Sequence, residues 1–164
     1  MQGKIRQISV SDGGVPKSPV AQASIGLNGV DGDRQRDTKH HGGPQRAVCL
    51  FSSEIIEALR LEGHPIEPGS VGENLTVEGV DWGRVAPGTR FVFQGGAELE
   101  VTSFTEPCSH IRDAFTNLEF RRIKQDLHPG QSRVYARVLK EGVVRAGENF
   151  RVEPADPRGA DGRR

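Results

Sequence analysis

Apolar and polar residues alternate with a period of two through much of this chain, and helical spacing is confined to a few short stretches. Residues 98–103 show the pattern cleanly: Leu99 and Val101 point to one side, and Glu98, Glu100 and Thr102 to the other, as in a strand with one buried face. Residues 132–140 set Val134, Ala136 and Val138 against Arg133, Tyr135 and Arg137 in the same way. Further strands are predicted over residues 4–10, 21–27, 46–51, 74–77 and 89–93. Turn signals separate them: Asp12-Gly13-Gly14, a loop marked by Pro16 and Pro19, and Pro87-Gly88.

Near the end, EGVVRAGENFRVEP repeats the plan of GVDWGRVAPGTRFVF. Gly142-Val143 answers Gly79-Val80, Ala146-Gly147 answers Pro87-Gly88, and Phe150 answers Phe91. Two turn-then-strand units of one design predict neighbouring rims of a closed sheet. Residues 52–61 form the clearest helix. Ser52 or Ser53 caps it, Glu54 and Glu57 suit its positive end, Ile55, Ile56 and Leu59 share a face, and Gly63 and Pro65 stop it. A second helical spacing, Leu118, Ile123 and Leu127, covers residues 117–127 before His128-Pro129-Gly130.

The chain has 164 residues, with 21 glycines and 10 prolines, which favours turns joining short strands over long helices. The expected fold is mainly β, a closed or semi-closed barrel with a few short peripheral helices, spanning residues 1–154 as one domain. The polar, glycine-rich residues 155–164 are expected to form a disordered tail. No apolar run approaches the length of a membrane span, and MQGKIRQISV lacks a signal peptide's apolar core, so the expected compartment is the cytoplasm, with no membrane partner. Net charge is zero, which argues against a general nucleic-acid binder. Charge is uneven, however: residues 1–110 hold 10 basic and 14 acidic side chains, and residues 111–164 hold 12 and 8.

Chemistry is expected first in VTSFTEPCSHI, residues 101–111. Pro107 biases Glu106 away from helical angles and a short helix can begin at Ser109, which leaves Cys108 at a strand-to-helix junction. Backbone N–H groups there, with Arg112 one turn on, would favour a thiolate. A buried, inert thiol is the competing reading. Cys49 and Cys108 sit in different contexts without a CxxC pairing, so neither a disulfide framework nor a standard zinc site is indicated.

The longest polar stretch, residues 29–45, carries Arg34, Arg36, Lys39, His40, His41, Gly42 and Gly43, and Arg46 opens the next strand. Glycines flanked by cations can cradle an anion. For His40 and His41, a shared metal competes with solvent-facing or hydrogen-bonding roles.

Taken in order, Gly32-Asp33 through His41-Gly42-Gly43 to Arg46-Ala47-Val48, then Gly72-Glu73-Asn74-Leu75-Thr76, then Pro107-Cys108, then RVYARVLKEGVVRAGENFRV resemble the MOSC domain. That domain is named for the C-terminal part of molybdenum cofactor sulfurases, and the resemblance covers roughly residues 3–153, as in a small stand-alone member. It implies a mostly β, barrel-like fold and one essential cysteine, here Cys108, as the catalytic residue and the metal ligand. In some members this cysteine is thought to carry sulfur as a persulfide. In others it ligates the molybdenum of a molybdopterin cofactor in proteins that reduce N-hydroxylated compounds.

For such a cofactor the resemblance points to Lys39, His41, Gly42, Gly43, Arg46, Asn74 and Arg112 as binding residues, because a phosphate and a dithiolene call for backbone donors and cations beside the thiol. It leaves three readings: a molybdenum-dependent oxidoreductase, a sulfur carrier or transferase, and a non-catalytic cofactor-delivery module. The first implies a separate electron-donor protein and the second a separate pyridoxal-phosphate-dependent cysteine desulfurase. The sequence departs from many relatives at Thr105 and Glu106, where a basic residue precedes the Pro-Cys pair, and a carboxylate beside the thiol opposes its ionisation. On this reading Cys108 opens at the mouth of the barrel, facing a cleft that accepts negative charge.

Overall fold

The computed structural model describes residues 1–34 and 43–158. Among these the alternating stretches form β1 (Gln2–Val10), β2 (Ser18–Val20), β3 (Gln22–Gly26), β4 (Gly29–Val30), β5 (Val48–Ser52), β6 (Leu75–Glu78), β7 (Arg90–Phe93), β8 (Glu98–Phe104), β9 (Val134–Lys140), β10 (Gly142–Arg145) and β11 (Asn149–Glu153). One α-helix, α1 (Ser53–Leu61), follows β5. Seven strands close into a barrel in the order β1, β11, β7, β8, β9, β5, β6 and back to β1. β5 and β6 run parallel, joined by the crossover that contains α1, and the other neighbours in the ring are antiparallel. A three-stranded sheet, β10-β3-β4, stands beside the barrel.

Register explains the core. Leu50 lies opposite both Leu75 and Val134, Ala136 opposite Val101, and Val138 opposite Leu99, which faces Phe91 in turn. All of these are buried, so the ring is filled with hydrocarbon. The twin turn-then-strand units end in β7 and β11, which pair directly. Phe93 is the cross-strand partner of Phe150, Phe91 lies 5.5 Å from the same ring, and the three rings pack as one cluster. Closure onto β1 needs Gly3: a Cβ there would lie 2.6 Å from the ring of Phe150 and 2.8 Å from the Glu78 carbonyl.

The helix at 52–61 forms as its sequence predicts, with the Ser52 Oγ accepting the Ile55 N–H at 3.2 Å and Ile56 and Leu59 buried. The stretch 117–127 does not. It is two single 3₁₀ turns, Thr116–Leu118 and Phe120–Ile123, with Asn117 and Leu118 in the left-handed region. Leu118 and Leu127 are 54% and 57% exposed, so only Ile123 of the presumed stripe is buried and the spacing has no apolar surface to cover. The proline-marked segment holds one strand that was not anticipated, β2, where Pro19 is tolerated because it lies on the free edge of the sheet.

A buried polar network pins three loops to the barrel wall. Asn74 is fully buried: its Oδ1 accepts the Cys49 N–H at 3.1 Å, and its Nδ2 donates to Asp33 Oδ2 at 2.9 Å and to the Ser9 carbonyl at 3.2 Å. Asp33 also pairs with Lys17, at 2.7 Å, and accepts the Ser11 N–H. Beside it, Glu73 Oε2 accepts from the Gly69 N–H and the Thr76 hydroxyl. Burial pushes the Glu73 carboxyl above the usual glutamate range, against the pull of these hydrogen bonds and of Arg133.

Two outcomes follow. Asn74→Ala leaves the Cys49 N–H and part of the Asp33 carboxylate unsatisfied, with an expected loss of about 2–3 kcal/mol in urea unfolding. For Glu73, a raised folded-state pKa contributes stability that is complete below the unfolded pKa and is lost as pH rises through the folded one. The Glu73 contribution should therefore fall from about pH 4 upward, while the lowered Glu62 and Glu100 act in the opposite sense, so the stability of wild type relative to Glu73→Gln should decline over that range; parallel slopes for the two proteins would contradict the assignment.

Candidate functional site

The strand alternation that fills the barrel also builds the site. Val48 and Leu50 of β5, and Val134 and Ala136 of β9, point inward, so Cys49 and its register partner Tyr135 point out. Arg133, two residues before Tyr135, shares that outer face. Three segments cover it, namely residues 14–17, residues 71–72 and the stretch after Pro107, and they enclose a cavity of about 240 Å³. Its described lining includes Lys17, Cys49, Cys108, His110, Arg112, Asp113, Arg133 and Tyr135. The site thus lies against the outer wall of the barrel, where a mouth was expected, because the interior is filled by side chains.

Cys108 stands at the junction that its proline dictates. Pro107 is buried, Cys108 is half-buried with extended backbone, and a 3₁₀ helix, Ser109–Ala114, begins after it. Arg112 is exposed and lines the cavity, but its Nη1 turns back to donate to the Ser109 carbonyl at 2.9 Å. Glu106, expected to oppose thiol ionisation, is held by Lys124, whose Nζ donates to both carboxylate oxygens at 2.8 and 2.6 Å. Its charge is therefore matched locally.

The two thiols differ in surroundings. Cys49 is buried, 3.9 Å from the Thr105 hydroxyl, and burial pushes its thiol above the ordinary range. Desolvation likewise pushes the Tyr135 phenol up, with Cys49 adding to the effect and Arg133 and Arg46 opposing it. Both groups keep their protons at neutral pH, and Cys108 is the sulfur with access to solvent.

Of the residues singled out by sequence, Cys108 and Arg112 come together in the cavity. Asn74 does not reach it; fully buried, it supports the wall from behind by holding Cys49 and Asp33. Gly43 precedes and Arg46 ends the exposed turn Pro44–Arg46, and neither is part of the lining, although the charge of Arg46 is felt at Tyr135. Arg36, Lys39, His40, His41 and Gly42 lie outside the described residues.

Sequence reasoning missed Lys17, Cys49, Arg133 and Tyr135 as lining residues. The signals were present. Residues 48–51 are continuously apolar, which marks a strand covered on both faces, and the alternation in 132–140 already set Arg133 and Tyr135 on the side away from the core.

The MOSC domain family model matches residues 37–151. The uncharacterized protein YflK of Bacillus subtilis (strain 168) is 30% identical over 141 residues, covering 85% of this chain and 62% of YflK. Protein YiiM of Escherichia coli (strain K12) is 29% identical over 106 residues, 60% of this chain and 45% of YiiM. The chain therefore spans less than two thirds of the length of either relative. Among solved structures, YiiM from Geobacillus stearothermophilus superposes with a TM-score of 0.73 at 27% identity, over 92% of this chain and 75% of that one. The YUAD protein from Bacillus subtilis superposes with a TM-score of 0.74 at 20% identity, over 95% of this chain and 98% of that one, which supports the fold alone. With its family model matched over more than half its length and its barrel shared with these structures, the chain belongs to the MOSC domain family.

Proposed function

We propose that this protein binds a molybdopterin-type cofactor through the Cys108 sulfur, and that it reduces N-oxygenated small molecules with electrons from a separate donor protein. The observation that carries this reading is the half-buried Cys108 set in a cavity whose lining holds three cations, Lys17, Arg112 and Arg133, against one carboxylate, Asp113. A family associated with the molybdenum cofactor raises the reading above a bare thiol pocket.

The residues suit such a group. Thiolate is a soft donor matched to a metal held by other sulfurs. Among the described residues no three His, Cys, Asp or Glu side chains gather to hold a bare ion, so a metal at Cys108 would have to bring most of its ligands with it, as a dithiolene does. When bound, the cofactor would supply two-electron redox chemistry at molybdenum. The chain's own part is to present the Cys108 sulfur, to set cations near the anionic cofactor, and to keep Cys49 and Tyr135 protonated in the wall behind it. Lys39, His41, Gly42, Gly43 and Arg46 remain the candidates, with Arg112, for holding the pterin and its phosphate, and Asn74 would act only through the wall that it supports.

A second reading, sulfur carriage as a Cys108 persulfide, is favoured by the size of the cavity. About 240 Å³ lies below the range of roughly 300–1,000 Å³ usual for cofactor-sized ligands, and a sulfane sulfur needs little room.

Two measurements separate the readings. Protein purified from cells that make the cofactor should carry molybdenum and pterin, and Cys108→Ala should lose the metal. Equal metal content in both, or none in the wild type, would contradict the first reading. Incubation with a cysteine desulfurase and cysteine should add the mass of one sulfur atom at Cys108 if the second reading holds, and an unchanged intact mass rejects it.

A further inference from the structure

Arg133 is the least satisfied charged group in the cavity. Its side chain is 4% exposed and makes one hydrogen bond, from Nη1 to the Val71 carbonyl at 2.7 Å. Its Nε is buried without an acceptor. A guanidinium has five N–H donors, and it cannot shed its charge to escape burial. Among the described residues no carboxylate pairs with it.

A buried carboxyl that feels its charge is that of Glu73, whose Oε1 is also left without a partner and whose burial favours the neutral acid. The charge of Arg133 is thus available to the cavity that its side chain lines. Lys17 lines the same cavity at 6% exposure and gives a single hydrogen bond, to an Asp33 carboxylate that Asn74 and the Ser11 N–H also share. A buried, under-bonded guanidinium is unfavourable unless an anion completes it. Arginine's planar fork matches an oxoanion with two parallel hydrogen bonds.

We propose that the cavity binds a small oxoanion of the phosphate, sulfate or carboxylate class, held by Arg133 with Lys17 alongside and placed next to the Cys108 sulfur. The inference rests on these side chains and not on the molybdenum reading, and it holds whether the anion is part of a free substrate or the phosphate of a bound cofactor. Its consequence for either chemistry at Cys108 is selectivity: anionic partners reach the thiol and neutral ones gain nothing.

The test uses the full chain without cofactor. Cys108 is alkylated with anionic iodoacetate and with neutral iodoacetamide at fixed ionic strength, and modification is assigned by peptide mass spectrometry. The ratio of the two rates should exceed that of glutathione by about fivefold or more, because a cationic pocket concentrates anions. Sodium sulfate should slow the iodoacetate reaction more than sodium chloride of equal ionic strength. Arg133→Gln should return the ratio to that of glutathione, while Arg133→Lys, which keeps the charge, should retain part of it.

A wild-type ratio equal to that of glutathione, without specific protection by sulfate, overturns the proposal. Because that comparison is made on the wild type, it decides the matter even if the variants fail to fold. Calorimetric titration of sulfate into cofactor-loaded protein then distinguishes the sources. Binding that persists assigns the site to a substrate anion, and binding that vanishes assigns it to the cofactor's phosphate.

Discussion

A strand covered on both faces has to do two jobs at once, and this structure rests on two such strands. Val48, Leu50, Val134 and Ala136 fill the barrel from β5 and β9, and the residues between them, with Arg133 just ahead of β9, are thereby directed outward. A one-residue slip would turn Arg133 and Tyr135 of the β9 segment, or Cys49 of β5, into the barrel and the core residues outward, so core packing itself fixes where the cavity is. The loops then have only to close over that wall. They are tied down by Asn74, Asp33 and Lys17, whose hydrogen bonds run between the first turn, the segment before β6 and the backbone of β5.

The rigidity of that wall gives Cys108 its setting. The sulfur comes from a loop held by buried Pro107 and by the Thr105 N–H bonded to the Arg133 carbonyl at 2.9 Å, so the segments that carry the thiol and the guanidinium are joined directly. Two sulfurs in one small cavity could compete as nucleophiles. Burial separates them by holding Cys49 in its thiol form, while Cys108 keeps access to solvent. Pairing with Lys124 matches the charge of Glu106 that the sequence had seemed to set against it.

Much of this was legible in the chain before any coordinates. Alternation located the strands, the likeness between residues 79–93 and 141–154 marked two strands that pair, and Pro107 placed Cys108 at an extended junction ahead of a helical turn. What could not be read follows from one cause: spacing along the chain carries no information about what packs against it. Leu118 and Leu127 have helical spacing but no surface to cover, so both stay exposed, Leu118 in a turn with left-handed backbone. Lys17 and Arg133 are ordinary cations in sequence, and only the fold brings them, from opposite ends of the chain, to one cavity. Asn74 looked like a ligand-binding residue for the same reason, since a buried backbone N–H that needs an acceptor is invisible until strands are paired.

The central claim is that the cavity on the outer wall, with Cys108 at its edge, is where this protein does its chemistry. The most direct test is a crystal structure of protein isolated from cofactor-producing cells, with anomalous data collected at the molybdenum edge. The account predicts a single strong peak at bonding distance from the Cys108 sulfur. A peak elsewhere on the molecule, with the cavity filled only by water, would contradict it.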